Sequence, residues 1–106
     1  MEKIKITTRL SATREMHDDI TIIKVRWRRH EIIRVVGNSV VINLADPRNS
    51  SSPTGMARSV NKAAEFLDLG FFVSCRGTKR TWFVMGADSE AIEFSPYKPF
   101  GFDLID

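Results

Sequence analysis

Hydrophobic and polar residues alternate over residues 20–29, whose sequence is Ile-Thr-Ile-Ile-Lys-Val-Arg-Trp-Arg-Arg. Successive side chains of a β-strand point to opposite faces of the sheet. A strand over this segment therefore places Ile23, Val25 and Trp27 on one face and three cations on the other. The three cations are Lys24, Arg26 and Arg28. This pattern predicts a half-buried strand whose outer face is basic.

A hairpin is predicted directly after this strand. Branched residues are dense in the region, which favours strands. The Gly-Asn pair at 37–38 suits a two-residue turn, because both residue types tolerate positive φ angles. A turn there places Val35 opposite Val40. It also places Ile33 opposite Ile42, so the apolar residues of the two strands share one face.

The connection at residues 29–31 decides which cations face each other. A two-residue turn would place Arg26 opposite Ile33 and mix charges with the apolar face. A three-residue loop keeps the two faces separate and places Arg26 opposite Arg34, so the three-residue loop is predicted. Like charges directly opposite each other are unfavourable, and an anion is therefore expected across this face.

The flanking segments are assigned from weaker patterns. Residues 3–9 alternate and predict a strand, whereas residues 11–19 are polar and predict a loop or a short helix. The proline, glycine and serine content of residues 45–55 predicts a mobile loop. A helix is predicted over 56–69, with Gly70 as its C-terminal cap. The polar side of this helix, expected to face solvent, is made of Arg58, Asn61, Lys62 and Glu65.

The last third of the chain predicts a second hairpin. Strands over 71–76 and 79–85 would flank a two-residue turn at 77–78, where glycine comes first. This register places Val73 opposite Trp82. Three cations would then cluster at the exposed tip of the hairpin, namely Arg76, Lys79 and Arg80.

The fold class that follows is α+β. It consists of a largely antiparallel sheet of about five to seven strands, a meander plus a C-terminal hairpin, with one main helix packed on one face. Residues 91–94 predict an edge strand. The tail at 95–106 is acidic and aromatic, and its prolines are expected to prevent regular pairing. The 106 residues are expected to form a single compact domain, 1–106.

Charge is distributed unevenly along the chain. The formal net charge is +3, but residues 1–80 hold 15 Lys and Arg against 8 Asp and Glu. Residues 81–106 hold Lys98 and five carboxylates. A basic body with an acidic tail is typical of proteins that bind a polyanion. The tail itself, through Glu90 and Glu93, is an alternative cover for the basic face.

Catalytic, metal and cofactor motifs are not found, so no enzyme activity, metal or cofactor is predicted. Cys75 is the single cysteine and is expected to be a small core residue. His17 and His30 stand beside carboxylates, but without the spacing of metal ligands. The sequence starts without the apolar run of a signal peptide, and its apolar runs are too short to cross a membrane. A cytoplasmic location is therefore expected.

The expected function is binding of an anionic partner, foremost nucleic acid, through the basic sheet face and the basic hairpin tip. A protein-binding inhibitor or adaptor, of the small accessory or phage type, is an alternative that would use the same surface. A small ribonuclease of the toxin type is a second alternative, since residues 28–31 supply Arg, His and Glu. The residues expected to contact the partner are Lys24, Arg26, Arg28, Arg34, Arg76, Lys79 and Arg80.

Overall fold

The computed structural model describes residues 1–45, 53–86 and 90–104. Over these residues the chain forms a six-stranded sheet, a three-stranded sheet and a helix, all strand pairs being antiparallel. This arrangement confirms the α+β class, the meander and the C-terminal hairpin. The elements are β1 (Glu2–Lys5), β2 (Leu10–His17), β3 (Ile20–Trp27), β4 (His30–Val36), β5 (Ser39–Ile42), α1 (Pro53–Phe66), β6 (Phe71–Arg76), β7 (Thr81–Gly86), β8 (Ile92–Phe94) and β9 (Phe100–Asp103).

The first sheet is a meander of β1 to β5 completed by β9, in the order β1-β2-β3-β4-β5-β9. The turn at 37–38 is confirmed, as are the pairings of Val35 with Val40 and of Ile33 with Ile42. These four side chains are buried on one face of the sheet, which we call the inner face. They join the buried residues of the helix and the second sheet in one hydrophobic cluster.

The prediction of a loop or short helix at 11–19 was wrong, because residues 10–17 form β2. This strand pairs with β3 along its whole length, and its first half places Leu10 and Ala12 in the core. Asp18 and Asp19 form the turn, with φ angles of 49° and 66° that suit a two-residue hairpin. The second half of β2 extends beyond the core and is mostly polar. The strand therefore lacks the alternation of apolar and polar residues that would have predicted it.

The predicted three-residue loop before β4 was also wrong. The turn has two residues, 28–29, and Trp27 pairs with His30. A β-bulge follows, because Val25 pairs with Ile33 although Arg26 pairs with Glu31. The extra residue is Ile32. Ile32 and Ile33 are both fully buried, and adjacent strand residues can share one face at a bulge.

The helix spans Pro53–Phe66, so it begins and ends about one turn before the predicted bounds. The loop predicted at 45–55 falls largely outside the described residues, and 53–55 belong to the helix. Asp68, at φ 54°, is the left-handed residue that ends the helix, rather than Gly70. The amide of Asp68 donates to the carbonyl of Glu65, and that of Leu69 donates to Ala64. These two bonds define a Schellman cap.

The second sheet has the order β6-β7-β8 and contains the predicted edge strand as β8. Its first turn has four residues, 77–80, instead of two, so Val73 pairs with Val84 and Trp82 with Cys75. The longer turn moves the register by two residues and leaves the same residues facing the core. Cys75 is partly buried against the core rather than fully buried.

The tail pairs regularly, in contrast to the prediction from its prolines. β9 adds to the edge of β5, with Val40 opposite Phe102 and Ile42 opposite Phe100. The prolines at 96 and 99 precede the strand and therefore leave its ladder intact. Phe100 stacks on Phe94 of the second sheet at 5.3 Å between ring centroids, so β9 connects the two sheets.

Asn61 connects the helix to the edge of the second sheet. Its Nδ2 donates to the carbonyl of Val73 at 2.8 Å, and the Val73 amide donates to its Oδ1 at 2.7 Å. The side-chain amide thus replaces a neighbouring strand at an edge position, and Asn61 is half-buried rather than solvent-facing. Of the helices in the described ranges, none has the length and apolar character needed to span a membrane.

Candidate functional site

The outer face of the first sheet carries a row of cations across four strands. Lys24 on β3 pairs with Arg34 on β4, and on its other side it pairs with Thr13 of β2. Thr13 in turn pairs with Lys3 of β1. Paired residues of an antiparallel sheet have Cβ atoms about 5 Å apart, so these side chains form one row of three cations and a threonine across the sheet.

A second row lies beside the first, nearer to the turn between β3 and β4. It places Lys5, Ser11, Arg26 and Glu31 next to one another. Together the two rows contain five cations and a carboxylate. We call this surface the basic face, made of Lys3, Lys5, Lys24, Arg26, Arg34 and Glu31.

The predicted pairing of Arg26 with Arg34 was wrong, although another like-charge pair occupies the same face. Lys24 faces Arg34, whereas Arg26 faces Glu31, because of the bulge in β4. The guanidinium of Arg34 donates to both carboxylate oxygens of Glu31, at 3.0 and 3.2 Å. Among the described residues, no carboxylate lies at ion-pair distance from Lys24 or Arg26.

The carboxylates near the C-terminal tail lie away from the basic face. Glu93 lies on β8 of the second sheet, where it pairs with Phe83, and Glu90 is exposed. Within the described part of the chain, neither carboxylate forms an ion pair with the basic face. The anion that the structure supplies is therefore Glu31, which neutralises one of the five cations.

Arg28 does not lie on the basic face, in contrast to the prediction. It occupies the turn after β3 with a φ of 57°, a conformation that side chains other than glycine adopt rarely. Its guanidinium carbon lies 5.0 Å from the ring centroid of Trp27, within cation–π range. The Arg28 amide also donates to the carbonyl of Arg9 in the turn between β1 and β2. The two turns therefore hold Arg9 and Arg28 side by side.

An open groove of about 510 Å³ lies beside these turns, on the inner side of the sheet. Arg9 and Trp27 border it from the turns, and Lys62 borders it from the helix. The remaining lining consists mainly of hydroxyl side chains. The complete lining is Thr7, Thr8, Arg9, Leu10, Trp27, Ser59 and Lys62.

The opposite end of the first sheet carries the reverse charge. Asp18 and Asp19 form the turn between β2 and β3, and both are exposed. The outer-face positions nearest to that turn hold Ile20 paired with His17, followed by Ile22 between Glu15 and Val36. The sheet is thus electrically polarised along its strands, with cations concentrated at the end that carries the groove.

The predicted cluster at the hairpin tip belongs to the second sheet. Lys79 and Arg80 lie in the exposed turn, and Arg76 ends the strand before it. The Arg80 guanidinium donates to the Thr54 hydroxyl at 2.9 Å, and Arg76 donates to the sulfur of Met85 at 3.5 Å. Two of the three side chains, Arg76 and Arg80, therefore form contacts within the protein.

The residues of the ribonuclease alternative are divided between the two faces. His30 pairs with Trp27 on the inner side, and its Nε2 is buried, whereas Glu31 is on the outer face. His17 contacts Glu15 at 3.3 Å near the acidic end of the sheet. The described residues contain no group of three or more His, Cys, Asp or Glu side chains placed to bind a metal ion.

Sequence reasoning missed four cations that the fold adds to these surfaces. Lys3 and Lys5 were recognised as strand residues, but their alignment with Lys24 depends on the unpredicted strand β2. Arg9 and Lys62 are distant in sequence and meet only at the groove. The chain matches no protein-family model, no curated protein and no solved structure.

Proposed function

We propose that the protein binds nucleic acid through the basic face of its first sheet. The observation that carries the proposal is the row of paired residues across strands β1 to β4. In order, the row is Lys3, Thr13, Lys24 and Arg34. A rigid array of cations spaced by the strand geometry fits the repeating charge of a phosphate backbone. Lys24 and Arg26 have no carboxylate partner among the described residues, so their charge is available to a ligand.

The chemistry of the face favours contacts to the backbone rather than to the bases. The described strands place no Phe, Trp or Tyr side chain on the outer face, so bases find no aromatic platform there. Lysine and arginine side chains that neutralise phosphates release counterions, and the resulting affinity is independent of sequence and sensitive to salt. The protein is therefore expected to bind many sequences with similar affinity.

A titration of labelled DNA and RNA at several salt concentrations tests the proposal. Lys24→Glu/Arg34→Glu should weaken binding at least tenfold and reduce the slope of log K against log salt, because about two phosphate contacts are lost. Lys98→Glu is the control, since Lys98 is exposed and lies outside the strands of the basic face. Wild-type protein that binds neither polymer at low salt would refute the proposal.

The hairpin tip is a second contact region within the same proposal. Arg76→Glu/Lys79→Glu should weaken binding less than the reversal on the basic face. Arg76 is already engaged with Met85, and the tip presents its cations on a turn rather than along a strand. A larger effect at the tip than at the basic face would assign the main contact to the second sheet.

A protein partner is the second candidate, favoured by exposed apolar residues on the same face. Ile20, Val36 and Val41 are 47%, 41% and 41% exposed on the outer face. Val41 pairs with Arg34, and Val36 lies two residues after Arg34 on the same strand. A mixed apolar and basic surface suits an acidic protein surface. Val36→Asn should then disrupt a stoichiometric protein complex while leaving salt-dependent nucleic-acid binding near the wild-type value, because the replacement removes an apolar contact without adding charge.

A further inference from the structure

The positive charge of the first sheet continues around one end of the sheet. Lys5 and Arg26 occupy the row of the basic face nearest to the turns. Arg9 and Arg28 follow in the two turns, which are joined by the hydrogen bond from the Arg28 amide to the Arg9 carbonyl. Beyond them lies the groove, which Lys62 borders from the helix on the inner side of the sheet.

We propose that the nucleic acid follows this charge from the basic face, around the turns and into the groove, so that the protein selects single strands over duplexes. The inference rests on the proposed function. It adds the class of nucleic acid and one more binding region, the groove. One observation carries the inference. Arg9, Trp27 and Lys62 border the groove on the inner side of the sheet, and Arg26 lies on the outer face at the same end of the sheet.

The geometry excludes a duplex from the full path. The basic face and the groove lie on opposite sides of one sheet, so a ligand that contacts both must turn sharply around its end. Duplex DNA has a persistence length of about 50 nm and resists bending over so short a distance. A single strand has freely rotating backbone bonds and can follow the turn, with successive phosphates meeting Arg26, Arg9 and Lys62.

The groove also offers the groups that an unpaired nucleotide needs. Arg9 and Lys62 supply cations for phosphate, and Thr7, Thr8 and Ser59 supply hydroxyl groups that can donate hydrogen bonds. The guanidinium of Arg28 lies over the ring of Trp27 at the groove edge, 5.0 Å from its centroid, and presents a cationic surface. Bases that are not paired in a duplex expose their faces and can stack on such a surface.

Competition between single- and double-stranded probes tests this inference. The probes are a labelled oligothymidylate of about 20 nucleotides and a duplex of equal length, a size that covers one or two typical single-strand sites. Wild-type protein should prefer the single strand. Arg9→Glu/Lys62→Glu should lower single-strand affinity about tenfold and leave duplex affinity within about twofold, because the duplex contacts only the basic face.

The control for this variant is Lys98→Glu, which reverses a charge at an exposed site outside the groove, the basic face and the hairpin tip. It should leave the ratio of single-strand to duplex affinity unchanged. Thermal unfolding checks that the groove variant is folded, which is expected because both replaced side chains are exposed.

The intrinsic fluorescence of Trp27 gives a second measurement on the unaltered protein. The chain has two tryptophans, and Trp82 is buried in the core. Oligothymidylate should quench the fluorescence, the duplex should not, and Trp27→Phe should abolish the response. If oligothymidylate binds to the wild-type protein without quenching its fluorescence, the groove is not occupied and the inference is contradicted.

The outcomes separate the inference from the proposed function. In one outcome Lys24→Glu/Arg34→Glu abolishes binding, while Arg9→Glu/Lys62→Glu binds single strands like the wild type. The groove is then not a binding region, and the proposed binding by the basic face is retained. Equal losses for single strand and duplex in the groove variant would also overturn the selection of single strands. If wild-type protein binds neither probe, both proposals fail together.

Discussion

Arg34 donates two hydrogen bonds to the carboxylate of Glu31, at 3.0 and 3.2 Å, on the same face on which Lys24 lies directly opposite Arg34. The contact is possible because of the β-bulge at Ile32, which shifts the pairing of β3 and β4 and places Glu31 opposite Arg26. One carboxylate therefore lies among three cations. It reduces their mutual repulsion, and it also competes with any anionic ligand of that face.

Replacement of Glu31 by glutamine should affect stability and binding in opposite directions. Loss of the carboxylate leaves Lys24 and Arg34 as uncompensated like charges, and should lower the free energy of unfolding by about 0.5 kcal/mol at low salt. Urea unfolding at low and high salt measures this loss, which should nearly vanish at high salt through screening. Affinity for nucleic acid should rise several-fold, since the face loses its one negative charge and Arg34 is released to bind phosphate.

Glu15→Gln is the matched control for this prediction. Glu15 also lies on the outer face of the sheet, but it contacts His17 at the end away from the five cations. Its replacement should change the affinity much less than Glu31→Gln does. Equal effects of the two variants would mean that overall charge, and not the arrangement around Arg34, governs binding.

Asn61→Ala should destabilise the protein through the backbone of the second sheet. The change removes both hydrogen bonds to Val73, and these polar backbone groups would lose their partner at the strand edge. The expected loss in the free energy of unfolding is about 2 kcal/mol, measurable by urea denaturation. The edge strand would also be uncovered, so the variant should aggregate more readily on heating.

Glu65→Ala provides the comparison, because Glu65 is exposed on the same helix. Its stability should remain within about 0.5 kcal/mol of the wild type, as for most surface substitutions. Asn61→Asp retains the acceptor for the Val73 amide and loses the donor to the carbonyl. Its stability should therefore fall below that of the wild type as well.

The cap at the end of the helix offers an opportunity for stabilisation. Asp68 adopts a left-handed φ of 54°, which strains side chains with a Cβ atom, and its negative charge lies at the unfavourable end of the helix dipole. Asp68→Gly should stabilise the protein by about 1 kcal/mol, equivalent to a rise in Tm of roughly 4 °C in a domain of this size. Differential scanning calorimetry measures the shift.

Gly70→Ala is expected to act in the opposite direction. Gly70 has a φ of 81°, and a Cβ added there would meet no heavy atom within 4 Å, so the cost arises from the backbone alone. Tm should fall by a similar amount. An unchanged Tm in both variants would show that this cap is not strained in solution.

Local signals allowed much of the fold to be predicted from the sequence. Glycine and asparagine at 37–38 favour a two-residue turn because they tolerate positive φ angles. That turn fixes the pairing of β4 with β5, including the positions of Ile33 and Val35. The bulge at Ile32 was missed because it depends on which residues the helix and the second sheet bury. Sequence spacing alone does not contain that information. The same is true of the four-residue turn at 77–80, whose length does not change which side chains face the core.

The candidate site was predicted only in part, for a related reason. Lys24, Arg26 and Arg34 were found because strand alternation is a local property. Arg9 and Lys62 are separated by 53 positions and meet because two turns and a helix converge at one end of the sheet. Arg28 was assigned to the basic face because its turn was predicted one residue too late.

The last prediction tests whether the aromatic tail supports the structure or binds a partner. Phe102 contacts Phe71 of the second sheet at 5.2 Å and Phe100 at 6.1 Å between ring centroids, whereas Tyr97 is 76% exposed. Phe102→Ala should lower the free energy of unfolding by about 2 kcal/mol, because a half-buried ring is removed from the contact between the sheets. Tyr97→Ala should leave it unchanged. Nucleic-acid affinity of the folded Phe102→Ala protein, measured well below its Tm, should equal that of the wild type. Reduced affinity in Tyr97→Ala at unchanged stability would instead assign the tail to the binding surface.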